Sequence, residues 1–160
     1  MRAAVFHQAH QPMTIENLEI AKPKAREVLL RTAYAGLCHS DLHFLEGLYP
    51  IQTPCVLGHE SSAVVEAVGS EVTYVKPGDR VITCLSVFCG ICSYCTTGRP
   101  QLCDNTEVKM APGVAQRLFW QGKPVVQFAN LSSFAEQLLV HENAVVKIAD
   151  EIPLTIGCIV

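Results

Sequence analysis

The sequence predicts a mainly β fold, an antiparallel barrel or sandwich with few and short helices. Short segments rich in β-branched and aromatic residues recur along the chain, and turn residues end each of them. Helical periodicity is confined to one short stretch. Apolar residues make up 49% and charged residues 17% of 160 residues, which is enough apolar material for one packed domain.

Turns separate the predicted strands. Gln11-Pro12 follows the first strand, Lys76–Asp79 forms a Pro-Gly-Asp turn before the fifth, and His141–Asn143 joins the last two. The predicted strands, in chain order, are residues 3–6, 13–20, 27–34, 64–68, 80–83, 125–128, 133–140 and 144–148.

One short helix is predicted over residues 40–45, ended by Gly47. Ser40 or Asp41 lies near its start, and side-chain oxygens of Ser and Asp accept hydrogen bonds from first-turn N–H groups. Capping of this helix is therefore one interpretation of these two residues.

Charge and hydropathy exclude several classes of protein. Lys plus Arg is 12 and Asp plus Glu is 15, so the net charge of −3 does not indicate a nucleic-acid partner. Residues 81–98 carry no charge but contain several hydroxyl side chains and four cysteines, which favours a loop over a membrane span. No secretory signal opens the sequence, so we expect a cytoplasmic protein in which cysteines stay reduced.

Four cysteines lie within fifteen residues, Cys89, Cys92, Cys95 and Cys103, in the pattern C-x2-C-x2-C-x7-C. Four thiolates satisfy the tetrahedral preference of a structural zinc ion. A ferredoxin-type cluster would have a shorter final gap and a Pro after the fourth cysteine, whereas Asp104 follows here. Two disulfides, or thiols that are simply buried, would also account for four cysteines. The pattern predicts a structural zinc site.

A second set of chemically active residues is more dispersed. Cys38–His43 reads Cys-His-Ser-Asp-Leu-His, and Gly58–Glu60 reads Gly-His-Glu. Together they offer a thiolate, imidazoles, a hydroxyl and carboxylates, the groups found in open catalytic metal sites. G-x-G-x-x-G, Walker A and G-x-S-x-G motifs are absent from the sequence.

With these motifs, the chain resembles the zinc-dependent alcohol dehydrogenases of the medium-chain dehydrogenase/reductase superfamily. The resemblance covers essentially all 160 residues and is to the N-terminal, GroES-like catalytic domain. It implies a partly open antiparallel barrel with a few short helices and a zinc-binding lobe at about residues 84–109. The nucleotide-binding Rossmann domain of the family is absent from these residues. The motifs that carry the resemblance are residues 36–41, 58–60 and 77–81, the four-cysteine pattern, and Gly157-Cys158.

The resemblance implies a catalytic zinc held by Cys38, His59 and Cys158. Zinc in such a site lowers the pKa of a bound alcohol oxygen. Asp41 would orient His59, and Glu60 would place a carboxylate close behind the metal.

The resemblance also implies a path for the alcohol proton. Ser40 would take this proton and pass it, through the cofactor ribose, to His43 as the base near solvent. His39 would contact the cofactor pyrophosphate. Four residues would line a cleft for an uncharged primary or aromatic alcohol or its aldehyde, unless they are ordinary core residues: Tyr49, Leu85, Val108 and Phe128.

The remaining histidines and cysteines are interpreted as structural. His7, His10 and His141 are expected at the surface, and Cys55 and Cys84 are expected as small buried apolar groups.

The sequence therefore predicts the catalytic domain of an NAD(P)-dependent zinc alcohol dehydrogenase, with one catalytic and one structural zinc, forming a homo-oligomer in the complete enzyme. The alternative is a non-enzymatic, zinc-stabilised GroES-like interaction module or an inactive fragment. Because no dinucleotide-binding turn occurs in these residues, we expect this chain alone to be inactive.

Overall fold

A computed structural model describes residues 1–109 and 115–160, and it contains two β-sheets and three short α-helices. The strands are β1 (Arg2–Phe6), β2 (Thr14–Asn17), β3 (Glu19–Ile20), β4 (Glu27–Ala35), β5 (Cys55–Val56), β6 (Ser61–Val68), β7 (Arg80–Thr83), β8 (Leu118–Trp120), β9 (Lys123–Gln127), β10 (Gln137–His141) and β11 (Val145–Lys147). The helices are α1 (His39–Leu45), α2 (Ser93–Thr96) and α3 (Leu154–Gly157), and 3₁₀ turns cover Pro100–Leu102, Phe128–Asn130 and Glu142–Ala144.

The two sheets form a partly open barrel with a GroES-like arrangement, which confirms the predicted fold class. Six strands form one sheet in the order β2-β1-β5-β9-β8-β3, and five form the other in the order β10-β4-β6-β7-β11. The described strand pairs are antiparallel except β5 with β9, which run parallel. Among the described residues, no helix is long and apolar enough to cross a membrane.

Strand β4 lies near the centre of the five-stranded sheet. It pairs with β10 on one side and with β6 on the other. Val28 and Leu30 alternate along it and are fully buried, as period-two patterning of a half-buried strand requires. They pack with Leu138 and Val140 of β10, so this sheet encloses the larger part of the core.

The predicted strands overlap those of the structure, but β6 begins at Ser61 rather than at residue 64, and four further places differ. The predicted strand 13–20 is divided into β2 and β3, and the predicted strand 133–140 begins only at Gln137. Strands β5 and β8 were not predicted, because two or three residues are too short for a periodic signal.

A buried ion pair joins the two sheets. The Nε–H of Arg117 donates to Glu27 Oε1 at 2.8 Å, and its Nη1–H donates to Gln127 Oε1 at 2.9 Å. Gln127 then donates to the carbonyls of Leu131 and Leu139. All three side chains of this network are buried, so each charge and amide depends on its partners.

Removing Arg117 is expected to destabilise the fold strongly. Arg117→Ala leaves the Glu27 carboxylate buried without its counter-ion and should lower the free energy of unfolding by about 3–5 kcal/mol. Arg31 is the control, because its contact with Glu66 spans 3.7 Å at an exposed site. Arg31→Ala should cost less than ~1 kcal/mol. Urea denaturation followed by circular dichroism measures both, and equal losses would contradict the assigned network.

Candidate functional site

The four predicted cysteines converge on one point in the lobe that follows β7. The sulfur atoms of Cys89, Cys92, Cys95 and Cys103 all lie within 4.8 Å of one another. Cys92 and Cys95 Sγ are 3.5 Å apart, and Cys89 and Cys95 Sγ are 3.9 Å apart. Between the third and fourth cysteines, the chain forms the end of helix α2 and then a 3₁₀ turn over Pro100–Leu102.

Backbone N–H groups of the lobe point at the sulfur atoms. Those of Ile91 and Cys92 donate to Cys89 Sγ at 3.4 and 3.3 Å, and that of Cys89 donates to Cys103 Sγ at 3.3 Å. The hydrogen bond from the Ile91 N–H contributes most to lowering the pKa of the Cys89 thiol, which falls to about 6. Desolvation raises the pKa of Cys95 to about 11.

This donor set fits a structural zinc ion. Four sulfur donors in mutual contact match the closed tetrahedral set that zinc prefers. The N–H donors aimed at the sulfurs stabilise thiolates rather than thiols, and thiolates are the form that binds metal.

The second group of donors forms around α1 and the loop before β6. Donor atoms of Cys38, His59 and Glu60 lie within 4.8 Å of one another. The hydroxyl of Ser40 lies between two of them, donating to Cys38 Sγ at 3.2 Å and approaching His59 Nε2 at 3.3 Å. One sulfur, one imidazole nitrogen and one carboxylate oxygen are a donor set that also suits zinc, and three donors leave a fourth position for another ligand.

A buried carboxylate faces His59. Asp41 is 4% exposed, and its Oδ1 accepts a hydrogen bond from the Gly58 N–H at 3.0 Å and lies 3.4 Å from His59 Nδ1. His59 Nδ1 and Asp41 Oδ2 are buried without a hydrogen-bond partner, so the carboxylate faces the ring without a hydrogen bond to it.

The capping interpretation of Ser40 and Asp41 is wrong. The N-cap residue of α1 is Cys38, and no side chain caps this end of the helix. The helix begins at His39, so Ser40 and Asp41 lie within its first turn, and their oxygens contact residues outside the helix, His59 and Gly58.

The other histidines of the motif form an aromatic group on α1. The rings of His39 and His43 meet edge-on at 4.6 Å, and Tyr49 contacts His43 at 5.3 Å. The ring of Phe128 lies 5.6 Å from that of His59 and 4.9 Å from that of Phe44. Of the four predicted cleft residues, Tyr49 and Phe128 therefore lie beside the candidate site.

The remaining two cleft candidates have different environments. Leu85 is 46% exposed just beyond β7. Val108 is 3% exposed and packs in the core cluster with Cys89 and Cys103, at the base of the four-cysteine lobe. At these two positions, apolar character alone does not distinguish a core residue from a residue that lines the cleft.

Cys158, the third predicted ligand, is buried at the end of α3, and its thiol donates to the Thr155 carbonyl at 3.3 Å. Its sulfur is not within the group formed by Cys38, His59 and Glu60. The helix before it is anchored, since Ser62 Oγ donates to the Leu154 carbonyl at 2.6 Å.

Two structural interpretations from the sequence need correction. His141 is buried, not at the surface, because it ends β10 beside the buried Arg117–Glu27 pair and its Nδ1 accepts a hydrogen bond from the Asn143 N–H. Cys84 is exposed, whereas Cys55 is fully buried as predicted. Cys84 follows the last residue of β7, where the chain leaves the sheet.

The chain is similar to alcohol dehydrogenases in sequence. The family model described as the alcohol dehydrogenase GroES-like domain matches residues 24–150. Alcohol dehydrogenase class-3 of Oryza sativa subsp. japonica is 38% identical over 164 residues, which cover 99% of this chain and 43% of the relative. The chain thus spans less than half the length of this relative.

Solved structures agree with that similarity. An alcohol dehydrogenase zinc-binding domain protein from Burkholderia ambifaria superposes with a TM-score of 0.85 and 37% identity, covering 97% of this chain and 43% of the other. Benzyl alcohol dehydrogenase from Acinetobacter calcoaceticus superposes with a TM-score of 0.83 and 31% identity, covering 98% of this chain and 43% of the other.

Cys55 and Cys84, which the prediction assigns to no metal site, should differ in reactivity towards iodoacetamide. Burial raises the pKa of Cys55 to about 12, so only ~1 in 10,000 of these thiols is ionised at pH 8. Raising the pH towards 12 increases this fraction, but at pH 8 Cys55 should stay unmodified while the exposed Cys84 is alkylated.

Peptide mapping by mass spectrometry, on the native chain with zinc present, distinguishes the two sites. Cys84→Ala is the control and should remove the early modified peptide. Modification of Cys55 as fast as that of Cys84 would contradict the buried environment of Cys55.

Proposed function

Because the chain belongs to the alcohol dehydrogenase GroES-like domain family, we propose that it is the catalytic domain of a zinc-dependent oxidoreductase. The reaction interconverts an alcohol and its aldehyde or ketone by hydride transfer with NAD or NADP. One observation carries the proposal: Ser40 Oγ lies 3.2 Å from Cys38 Sγ and 3.3 Å from His59 Nε2. A structural module would need no hydroxyl at this place.

Two metal sites belong to the proposal. The four cysteines of the lobe hold a structural zinc, and Cys38 and His59 hold a catalytic zinc, with Cys158 as the third protein ligand that the family resemblance implies. The catalytic ion, when bound, supplies a Lewis acid that polarises the oxygen of the alcohol.

The residues of α1 handle the alcohol proton. The Ser40 hydroxyl is placed to accept a hydrogen bond from the alcohol and to receive its proton. His43 lies about one turn further along the same helix, three residues on, so both side chains project from the same face. Its side chain is half-buried beside His39 and Tyr49, which suits a base that exchanges the proton with solvent.

Asp41 and Glu60 act through the ligands. Asp41 holds the ring of His59 in one orientation, and its burial prevents water from competing for that contact. Glu60 adds a second negative donor next to Cys38. His39 precedes Ser40 on α1 and is exposed, and it would meet the cofactor pyrophosphate.

The proposed substrate is an uncharged primary or aromatic alcohol. Phe128 presents aromatic surface beside His59, Phe44 packs against Phe128, and Tyr49 packs against Phe44. An aromatic ring packs favourably edge-on against such surfaces. The similarity to a benzyl alcohol dehydrogenase supports the same class of substrate. We further propose that the complete enzyme is a homo-oligomer in the cytoplasm, where the thiols of the lobe remain reduced.

The two metal sites should be separable by substitution. We expect up to two zinc ions per chain, the one in the lobe held more tightly because its four donors come from one closed loop. Cys92→Ser should remove the lobe ion and destabilise the lobe, while the ion at Cys38 and His59 remains. Elemental analysis of the dialysed chain measures both stoichiometries. Iron with labile sulfide in place of zinc would refute the assignment.

The catalytic roles predict an order of losses in the complete enzyme. His59→Ala should abolish alcohol oxidation, because it removes a metal ligand. Ser40→Ala should lower kcat by ~100-fold or more, since it removes the hydroxyl that lies between Cys38 and His59. His43→Gln should cost less and change the pH dependence of kcat, because solvent replaces the last proton acceptor in part.

NAD(P)H absorbance measured across pH tests this order. Equal losses for the Ser40 and His43 variants, or an unchanged pH profile for His43→Gln, would contradict the roles assigned here.

A further inference from the structure

Gly36 lies where β4 ends and the chain turns towards Cys38. The residue is buried, and its N–H donates to the Glu60 carbonyl at 3.0 Å. Its φ is not among the left-handed values found at other glycines of the chain. The backbone conformation therefore admits any residue here, and only the space around Gly36 restricts the choice.

That space is taken by Glu60. A Cβ at Gly36 would overlap with Glu60 Oε2, and would lie 3.0 Å from Glu60 Cβ and 3.2 Å from the Cys158 carbonyl oxygen. The overlapping atom is the end of a flexible side chain, so a methyl group would displace the carboxylate most, while the other two neighbours would shift by only a few tenths of an ångström. The fold should then tolerate the methyl group while the carboxylate moves.

The displaced carboxylate is one of the three donors of the candidate site. A Glu60 oxygen, Cys38 Sγ and a ring nitrogen of His59 lie within 4.8 Å of one another. We propose that Gly36 is a positioning residue: its missing side chain leaves the space that keeps the Glu60 carboxylate beside Cys38 and His59. This inference rests on the proposed function, because it requires a metal ion at that site.

A cobalt titration tests the inference without any turnover. The lobe is first loaded with zinc, and Co²⁺ is then titrated into the second site, with its visible absorbance as the readout and a chelator as competitor. Gly36→Ala should weaken Co²⁺ binding by ~10–100-fold, as removal of a group supporting the ligands does. Glu60→Ala should cause a similar loss, and the double variant should bind no more weakly than either single variant.

Two further variants control the result. Ala33→Ser also adds one heavy atom, but on β4 and in the open groove beside β1. This variant should bind Co²⁺ like the unsubstituted chain. Glu60→Asp withdraws the carboxylate from Gly36 while leaving Gly36 intact, so it should weaken Co²⁺ binding even if Gly36→Ala fails to fold.

The outcomes are distinct. Unchanged affinity in Gly36→Ala or in Glu60→Asp would overturn the inference, as would a loss in Gly36→Ala that persists in full when Glu60 is already Ala. An unsubstituted chain that binds no Co²⁺ beyond the lobe would overturn the proposed function and this inference together, and that result is seen before any substitution is made.

Discussion

The carboxylate of Asp41 is the constraint on which the candidate site depends. It is carried by α1, yet it accepts the N–H of Gly58 and faces His59, so it ties the helix to the loop that leads into β6. A buried carboxylate is costly unless it is paired, which means that this contact also fixes where α1 lies. The packing of Asp41 thus adds to the contact of Ser40 with Cys38 and His59 in bringing these residues together.

The backbone conformation of Gly58 is the second part of this constraint. Its φ of +88° lies in the left-handed region, and a Cβ there would meet Ser133 Oγ and the ring of Phe134. The chain therefore turns at Gly58, its N–H points back to Asp41, and the ring of His59 lies beside that of Phe128.

How far the sequence predicts the structure depends on how local each feature is. The convergence of the four cysteines was predicted because they are close in sequence, and one loop brings them together. The long strands β4 and β6 were also predicted, since each carries its own apolar pattern. Strands β5 and β8 are defined only by their partners, and the exposure of Cys84 and burial of His141 depend on where neighbouring segments pack. No sequence pattern records those tertiary contacts.

The third donor of the candidate site shows the same limit of prediction from sequence. Cys38 and His59 are brought together by Asp41, whereas Cys158 comes from α3, far along the chain, and its thiol is engaged with Thr155. Glu60 is the neighbour of His59 and reaches the donor group directly. A thiolate and a carboxylate carry the same charge, so either one, with Cys38, balances a divalent ion. Charge alone does not choose between them. Packing places the Glu60 carboxylate in the space above Gly36, and the Cys158 carbonyl oxygen lies close to the same point.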